Sequence, residues 1–276
     1  MDNTVVQALV MGLVQGLTEF LPISSSGHLI VVPALLGWTD PFIDSLTFSV
    51  MLHMGTLVAL LLYFWRDWLR LVPAGVAALV ERSFANDPDR RLAWLLAITT
   101  IPAMIVGVLF NDFIEQNVRQ PTTVAILLVV GGAILWLADR WGATDRRIGD
   151  LTFPGAFAIG AAQAIALFPG ISRSGISISA ARLLGLDRQS AARFSFLMAT
   201  PIIAGAGAWE TLKVIRGVET VAIEPLQLAA GMLAAVVAGL VAIGGLLRYL
   251  AGHRLDLFVW YRLLVAGVVV VWFLSP

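Results

Sequence analysis

Residues able to do chemistry are concentrated in two short stretches of an otherwise apolar chain. The first holds Gln15, Thr18 and Glu19, then Ser24-Ser25-Ser26-Gly27-His28; the second runs Gly170-Ile171-Ser172-Arg173-Ser174-Gly175 and reaches Ser177. Gln15 and Glu19 stand four apart, so they share one face of a helix, with Thr18 beside them. A carboxylate at bilayer depth costs about 2.5–3.5 kcal/mol on insertion scales, which marks Glu19 as functional by default. Gln15 is neutral and is equally well explained as a hydrogen bond between helices. Ser24 to Gly27 precede an apolar run, and free N–H groups at a helix start with small side chains form an anion site. The second stretch repeats this device and adds Arg173, whose planar fork donates two hydrogen bonds to phosphate at once. No acidic residue lies within ten positions on its N-terminal side, so an anionic ligand is its expected partner. His28 is expected to face Glu19 across a hairpin and act as general base for a hydroxyl or water. His53, inside an apolar stretch, is expected to line the interior, with a packing role as well supported as a chemical one. His253 is expected to be solvated. An acid, a base, hydroxyl nucleophiles and an anion clamp together imply a phosphate or pyrophosphate carried on something that lives in a membrane.

The elements that position these residues must be membrane helices. A soluble domain is about 25% charged; this chain of 276 residues is 13% charged and 59% hydrophobic, with a mean hydropathy of +0.87. Disorder is excluded by the same apolar content. The 18 basic and 18 acidic residues balance, which leaves no basic excess for a nucleic acid. Lys213 is the only Lys. With no Cys, disulfides, zinc–thiolate sites and cysteine nucleophiles are excluded. Six stretches are apolar enough to span, roughly 48–64, 92–110, 122–138, 194–212, 226–247 and 258–274. Two others break midway. Val5 to Leu21 stops at Pro22 to Gly27 before a short run to Leu36, and Phe153 to Phe168 stops at Pro169 to Gly175 before a run ending at Leu184-Gly185. Each reads as a re-entrant hairpin, because irregular backbone at membrane depth survives only where protein or a wet cavity satisfies it. The N-terminus is not expected to be a signal peptide, since it has Asp2 in place of a basic region and polar Gln15 and Glu19 in its apolar stretch.

The two breaks share I-S-x-S-G, at Ile23 to Gly27 and at Ile171 to Gly175, 148 positions apart; Phe48-Ser49 recurs as Phe194-Ser195. The expected fold is an all-α polytopic membrane protein with an inverted-topology repeat, each half a re-entrant helical hairpin plus three transmembrane helices. The halves are residues 1–140 and 150–276. Three spans per half is an odd number, which turns the second half upside down and brings broken segments of both halves together near the midplane. Thirteen Arg then fall in loops on one side, against Arg119, Lys213 and Arg216 on the other, which satisfies the positive-inside rule. Both termini are expected outside.

Gln15-Gly16-Leu17-Thr18-Glu19-Phe20-Leu21-Pro22-Ile23-Ser24-Ser25-Ser26-Gly27-His28 resembles the first signature of the undecaprenyl-diphosphate phosphatases of the BacA/UppP type, and Pro169-Gly170-Ile171-Ser172-Arg173-Ser174-Gly175-Ile176-Ser177 resembles their second, P-G-x-S-R-S-x-x-T. The resemblance covers the whole chain. It implies hydrolysis of undecaprenyl diphosphate to the monophosphate carrier of cell-wall synthesis, in the bacterial plasma membrane, with an association with bacitracin resistance and an active site facing the outer, periplasmic side. It implies a divalent cation, Mg2+ or Ca2+, on Glu19. The family's acidic motif is E/Q-x-x-x-E; with Gln15 in its first position, Glu19 is the one carboxylate this motif offers a metal. Glu19, Ser25, His28 and Arg173 are the expected catalytic residues, and Gln15, Ser24, Ser26, Gly27, Gly170, Ser172, Ser174 and Ser177 the expected substrate contacts. Ser25 is the first choice of nucleophile by resemblance, while direct attack by water fits the residues equally well. The expected partners are a polyprenyl diphosphate and the surrounding lipids, with a homodimer as the assembly considered and no nucleic acid.

Two rivals share parts of this pattern. A lipid-phosphate flippase would use the same inverted repeat, Arg173 and serine cluster for binding alone. The other large class of membrane lipid phosphatases carries K-x6-R-P and a later His; here the K-x6-R-P is missing and the position for that His is Ser179.

Overall fold

The computed structural model describes residues 3–84, 87–118, 120–143, 145–216 and 224–274. Arg119, assigned to an outer loop from the sequence, lies outside them. Among the described residues the chain forms α1 (Asn3–Phe20), α2 (Ser25–Leu36), α3 (Leu46–Tyr63), α4 (Trp65–Val80), α5 (Pro88–Val118), α6 (Pro121–Trp141), α7 (Phe153–Ala164), α8 (Arg173–Leu183), α9 (Arg188–Ile215), α10 (Pro225–Tyr249) and α11 (Asp256–Leu274). Six helices are long and apolar enough to cross a membrane, and each matches one of the six expected stretches to within a few residues. Their starts follow from local chemistry. The Ser45 side chain accepts from Phe48 N at 3.0 Å and so begins α3. Pro121 and Pro225 open α6 and α10, where a missing N–H costs nothing. α9 is the central span, with 61% of its apolar window buried, against 22% for α5, whose flank faces lipid.

α1 and α2, and α7 and α8, are the two broken segments, followed in each half by three spans. This element order is consistent with the inverted repeat. The packing is reciprocal as well: α1 lies along α10, and α7 lies along α5, so each hairpin leans on a span of the other half. Small residues permit the approach. A Cβ on Gly12 would meet Gly231 O at 2.1 Å, and one on Gly160 would meet Thr99 O at 2.4 Å. Gly12 and Gly160 are themselves 148 positions apart, as are the two Ile-Ser breaks.

Two features depart from the sequence reading. α4 was not expected. Its apolar residues Trp65, Leu69, Val72, Val76 and Leu79 form an exposed stripe, with Arg66, Asp67 and Arg70 at its start. That is the pattern of a helix lying in the membrane interface, and at 16 residues it is short for a span. Arg182, counted with the inner-loop Arg, is instead fully buried in the last turn of α8. Its guanidinium donates to the carbonyls of Ala143 (2.7 Å) and Gly142 (3.0 Å). Buried Asp139 sits beside it at 3.4 Å and accepts from Arg188 at 2.7 Å and from Leu255 N at 3.1 Å. This knot ties α6, α8, α9 and α11 together at the Arg-rich end.

Candidate active site

The two half-helices start in the same unusual way. Ser24 (φ 75°) and Ser172 (φ 75°) are both N-caps in left-handed backbone, and they too are 148 positions apart. Such a conformation costs a non-glycine residue on the order of 1–3 kcal/mol and persists only where the surroundings enforce it. Each serine side chain accepts from the glycine three residues on: Gly27 N at 3.4 Å and Gly175 N at 3.1 Å. The amides of Ser25, Ser26, Arg173 and Ser174 then open the helices with no intrahelical acceptor.

The tips of the hairpins touch. Gly170 N donates to Ser24 Oγ at 3.0 Å, and Ser174 Oγ donates to Leu21 O at 3.0 Å. Arg173 Nη2 reaches Glu19 Oε1, an ion pair between the halves. Glu19, 4% exposed, is held from three further directions. Its Oε2 accepts from Gln15 Nε2 at 3.0 Å and from the Ser25 hydroxyl, and His53 Nε2 lies 3.4 Å away. Two polar atoms at the centre remain buried without a partner, Arg173 Nη1 and Gln15 Oε1. Each is aimed by its own residue's other end, which Glu19 holds.

Placement differs from the sequence reading at three points. Arg173 was expected to lack a carboxylate partner; Glu19 is that partner, 154 positions away and beyond any scan of local sequence. His28 does not face Glu19. Its Nδ1 lies 2.7 Å from Ser24 O and its Nε2 lies 3.0 Å from Tyr261 Oη, with the two rings stacked at 5.6 Å. A carbonyl only accepts, so Nδ1 carries the proton and Nε2 accepts from the tyrosine. His53 on α3 takes the place beside Glu19. Its Nδ1 donates to Ser49 O at 2.7 Å, which leaves Nε2 as the basic nitrogen toward the carboxylate. The one sequence signal for it was an ionisable residue inside a span. Ser177 turns from the tips toward α9, where it bonds Ser195 Oγ at 2.6 Å and Arg173 O at 2.7 Å. Ser26 Oγ reaches Ser24 Oγ at 3.4 Å, and Ser172 Oγ reaches Ser174 Oγ at 3.2 Å. Gly27 and Gly170 let the tips meet: a Cβ on Gly27 would lie 3.5 Å from the Gly170 Cα, and Gly170 has φ +112°. His253 is exposed in the turn after α10, as expected.

A serine hydroxyl on a carboxylate, an imidazole behind it, an arginine with one free prong and two helix N-termini can bind a phosphate and transfer it. The fold and site therefore define a multi-pass α-helical membrane protein with a polar cluster where two broken helical hairpins meet tip to tip. Residues 8–269 match the family model described as bacitracin resistance protein BacA, and the chain belongs to that family. It is similar to the undecaprenyl-diphosphatase of Desulforudis audaxviator (strain MP104C), 46% identical over 265 residues that cover 96% of each chain. It is similar also to the undecaprenyl-diphosphatases of Gemmatimonas aurantiaca (46% identical, 97% of each chain) and Moorella thermoacetica (44% identical, 97% of each chain).

Proposed function

We propose that this protein hydrolyses undecaprenyl diphosphate to undecaprenyl phosphate and inorganic phosphate, returning the lipid carrier to cell-wall synthesis. Membership of the BacA family and the relatives' names support the activity. The contact that carries the mechanism is the Ser25 hydroxyl on Glu19, with Arg173 on the same carboxylate.

The terminal phosphate enters between the tips. Arg173 Nη1 and the amides that open α2 and α8 bind its oxygens. Ser25 Oγ attacks phosphorus and its proton passes to Glu19. The bond to the bridging oxygen breaks, and undecaprenyl phosphate leaves with the electron pair. Water then attacks the phosphoserine. The proton first taken by Glu19 returns to Ser25 Oγ as the ester bond breaks and phosphate departs, while the water passes one proton to the Glu19–His53 pair. Glu19 and the basic Nε2 of His53 share that proton, so His53 takes the part assigned to His28 from the sequence.

The cation implied by the resemblance has a partial set of donors. Among the described residues no three His, Cys, Asp or Glu cluster. Glu19 and the partnerless Gln15 Oε1 nonetheless supply hard oxygens, and Mg2+ is commonly held by one or two carboxylates plus substrate phosphates. Bound there, Mg2+ or Ca2+ would neutralise charge on the diphosphate.

The chain is read as inverted halves, 1–140 and 150–276, in the bacterial plasma membrane. The Arg-rich loops face inward and the first hairpin opens outward; a homodimer is the assembly, which cross-linking in native membranes tests. The activity itself is tested with protein purified in detergent, C55 diphosphate and Mg2+. Release of phosphate is expected. Binding and vesicle translocation of the lipid with no release would overturn the enzyme reading in favour of the flippase.

A further inference from the structure

We propose that Arg262 is a positioning residue that holds the two hairpin tips in their anion-binding form; the inference rests on the phosphatase reading of that site. Arg262 lies on α11, absent from every loop and from both motifs. It is 0% exposed. Its guanidinium donates to four carbonyls: Nε to Leu128 O (3.1 Å), Nη1 to Pro22 O (3.3 Å), and Nη2 to Gly170 O (2.5 Å) and Ile171 O (2.8 Å). Among the described residues no carboxylate lies within ion-pair distance of it.

Three of those carbonyls belong to the tips. Pro22 precedes the N-cap Ser24 by two residues, and Ile171 precedes the N-cap Ser172 by one. One side chain therefore grips both breaks at the points where the backbone turns left-handed. Carbonyls left free at membrane depth need a donor, and they repel an anion. Arg262 collects them from the α6–α11 side, while Glu19 and His53 approach from α1 and α3. A carbonyl and the next N–H point opposite ways across a peptide plane. Drawing Ile171 O toward α11 thus turns Ser172 N–H away from it.

The site for the guanidinium is built. A Cβ on Gly131 would lie 2.2 Å from Arg262 Nη2, and one on Gly175 would lie 3.1 Å from Nη1. A hydrophobic side chain would brace the helices with less desolvation. A cation with no carboxylate, within two residues of each anion-binding N-cap, adds positive potential where a diphosphate must sit.

The test compares Arg262→Lys with Arg182→Lys in the purified full chain. Arg182 is also a buried guanidinium on carbonyls, but at the far end of α8, so it controls for loss of packing. Both variants should melt lower. Only Arg262→Lys should weaken inhibition by orthovanadate, by about 10-fold or more, with kcat falling further than KM rises. Gly131→Ala, whose Cβ would lie 2.2 Å from Arg262 Nη2 and 2.7 Å from Ile171 O, wedges into the contact between the guanidinium and the tip carbonyl; it should show the same split and keeps the proposal testable if Arg262→Lys does not fold. Equal effects at Arg262 and Arg182, or unchanged vanadate inhibition in Gly131→Ala, would overturn the proposal. The thermal shift given by inorganic phosphate repeats the comparison without turnover. A wild-type protein that releases no phosphate would refute the phosphatase reading alone.

Discussion

Arg173 spends one guanidinium nitrogen on Glu19 and leaves the other, Nη1, buried without a partner. The pair joins the two hairpins, and the unused nitrogen points the charge at whatever enters between them. A surface ion pair contributes little, but breaking a buried one strands a charge at a cost of about 3–5 kcal/mol. Stability and catalysis should therefore separate. Arg173→Ala should abolish phosphate release and lower the melting temperature in detergent. Adding Glu19→Gln should recover part of the lost stability and none of the activity. A double variant that melts as low as Arg173→Ala would show that the two residues are not coupled.

Ser25 is the serine whose hydroxyl touches Glu19, whereas Ser177 spends its own on Ser195 and Arg173 O. Ser25→Ala should cost at least about 1000-fold in kcat, since a nucleophile and its base act as a unit. Ser177→Ala should leave most of the activity and act mainly on stability, by about 1 kcal/mol for a lost buried hydrogen bond. Trapping a phosphoserine by acid quench in wild type, and its absence in Ser25→Ala, identifies the nucleophile. Full activity in Ser25→Ala would move the reaction to direct attack by water.

The two histidines inside the apolar segments make opposite demands. His53→Gln places a neutral amide beside Glu19 that cannot take a proton, so activity should fall by about 100-fold, as for loss of a general base. His28 and Tyr261 act on one another through a hydrogen bond and a stacked contact. His28→Gln and Tyr261→Phe should therefore be non-additive, the double variant losing little more than the worse single one. Additive losses would place His28 in contact with substrate on its own account.

These outcomes bear on what the residues disclosed before folding. The spans were legible because each is one long apolar window, and the hairpins because Pro, Gly and Ser interrupt such windows. α4 was not, because its apolar stripe is exposed and it begins with Arg66, Asp67 and Arg70. The serines, Glu19 and Arg173 were legible as a set from their types. Their pairing was not: Glu19 and Arg173 meet only when α1 and α8 pack tip to tip. The direction of His28 depends on the helical phase that Ser24 imposes on α2 by its left-handed φ, and no local pattern sets that phase. His53 and Arg262 are single residues in apolar helices, without a motif to announce them.

Gln15 decides how the site treats a cation. Its Nε2 is held by Glu19 at 3.0 Å, and its Oε1 is buried with no donor near it. An orphaned acceptor costs about 1–3 kcal/mol unless something occupies it. A hard divalent ion would do so, with Glu19 supplying the charge. Gln15→Glu adds a second carboxylate at that point and should lower the Mg2+ concentration for half-maximal activity about 10-fold or more, with kcat preserved. It should also raise the EDTA needed to silence the enzyme. If the variant were dead at every Mg2+ concentration, Gln15 would be acting through its amide N–H on Glu19, and the ion would have to bind elsewhere. If activity in wild type survived exhaustive chelation, Arg173 and the two helix N-termini would be neutralising the diphosphate alone.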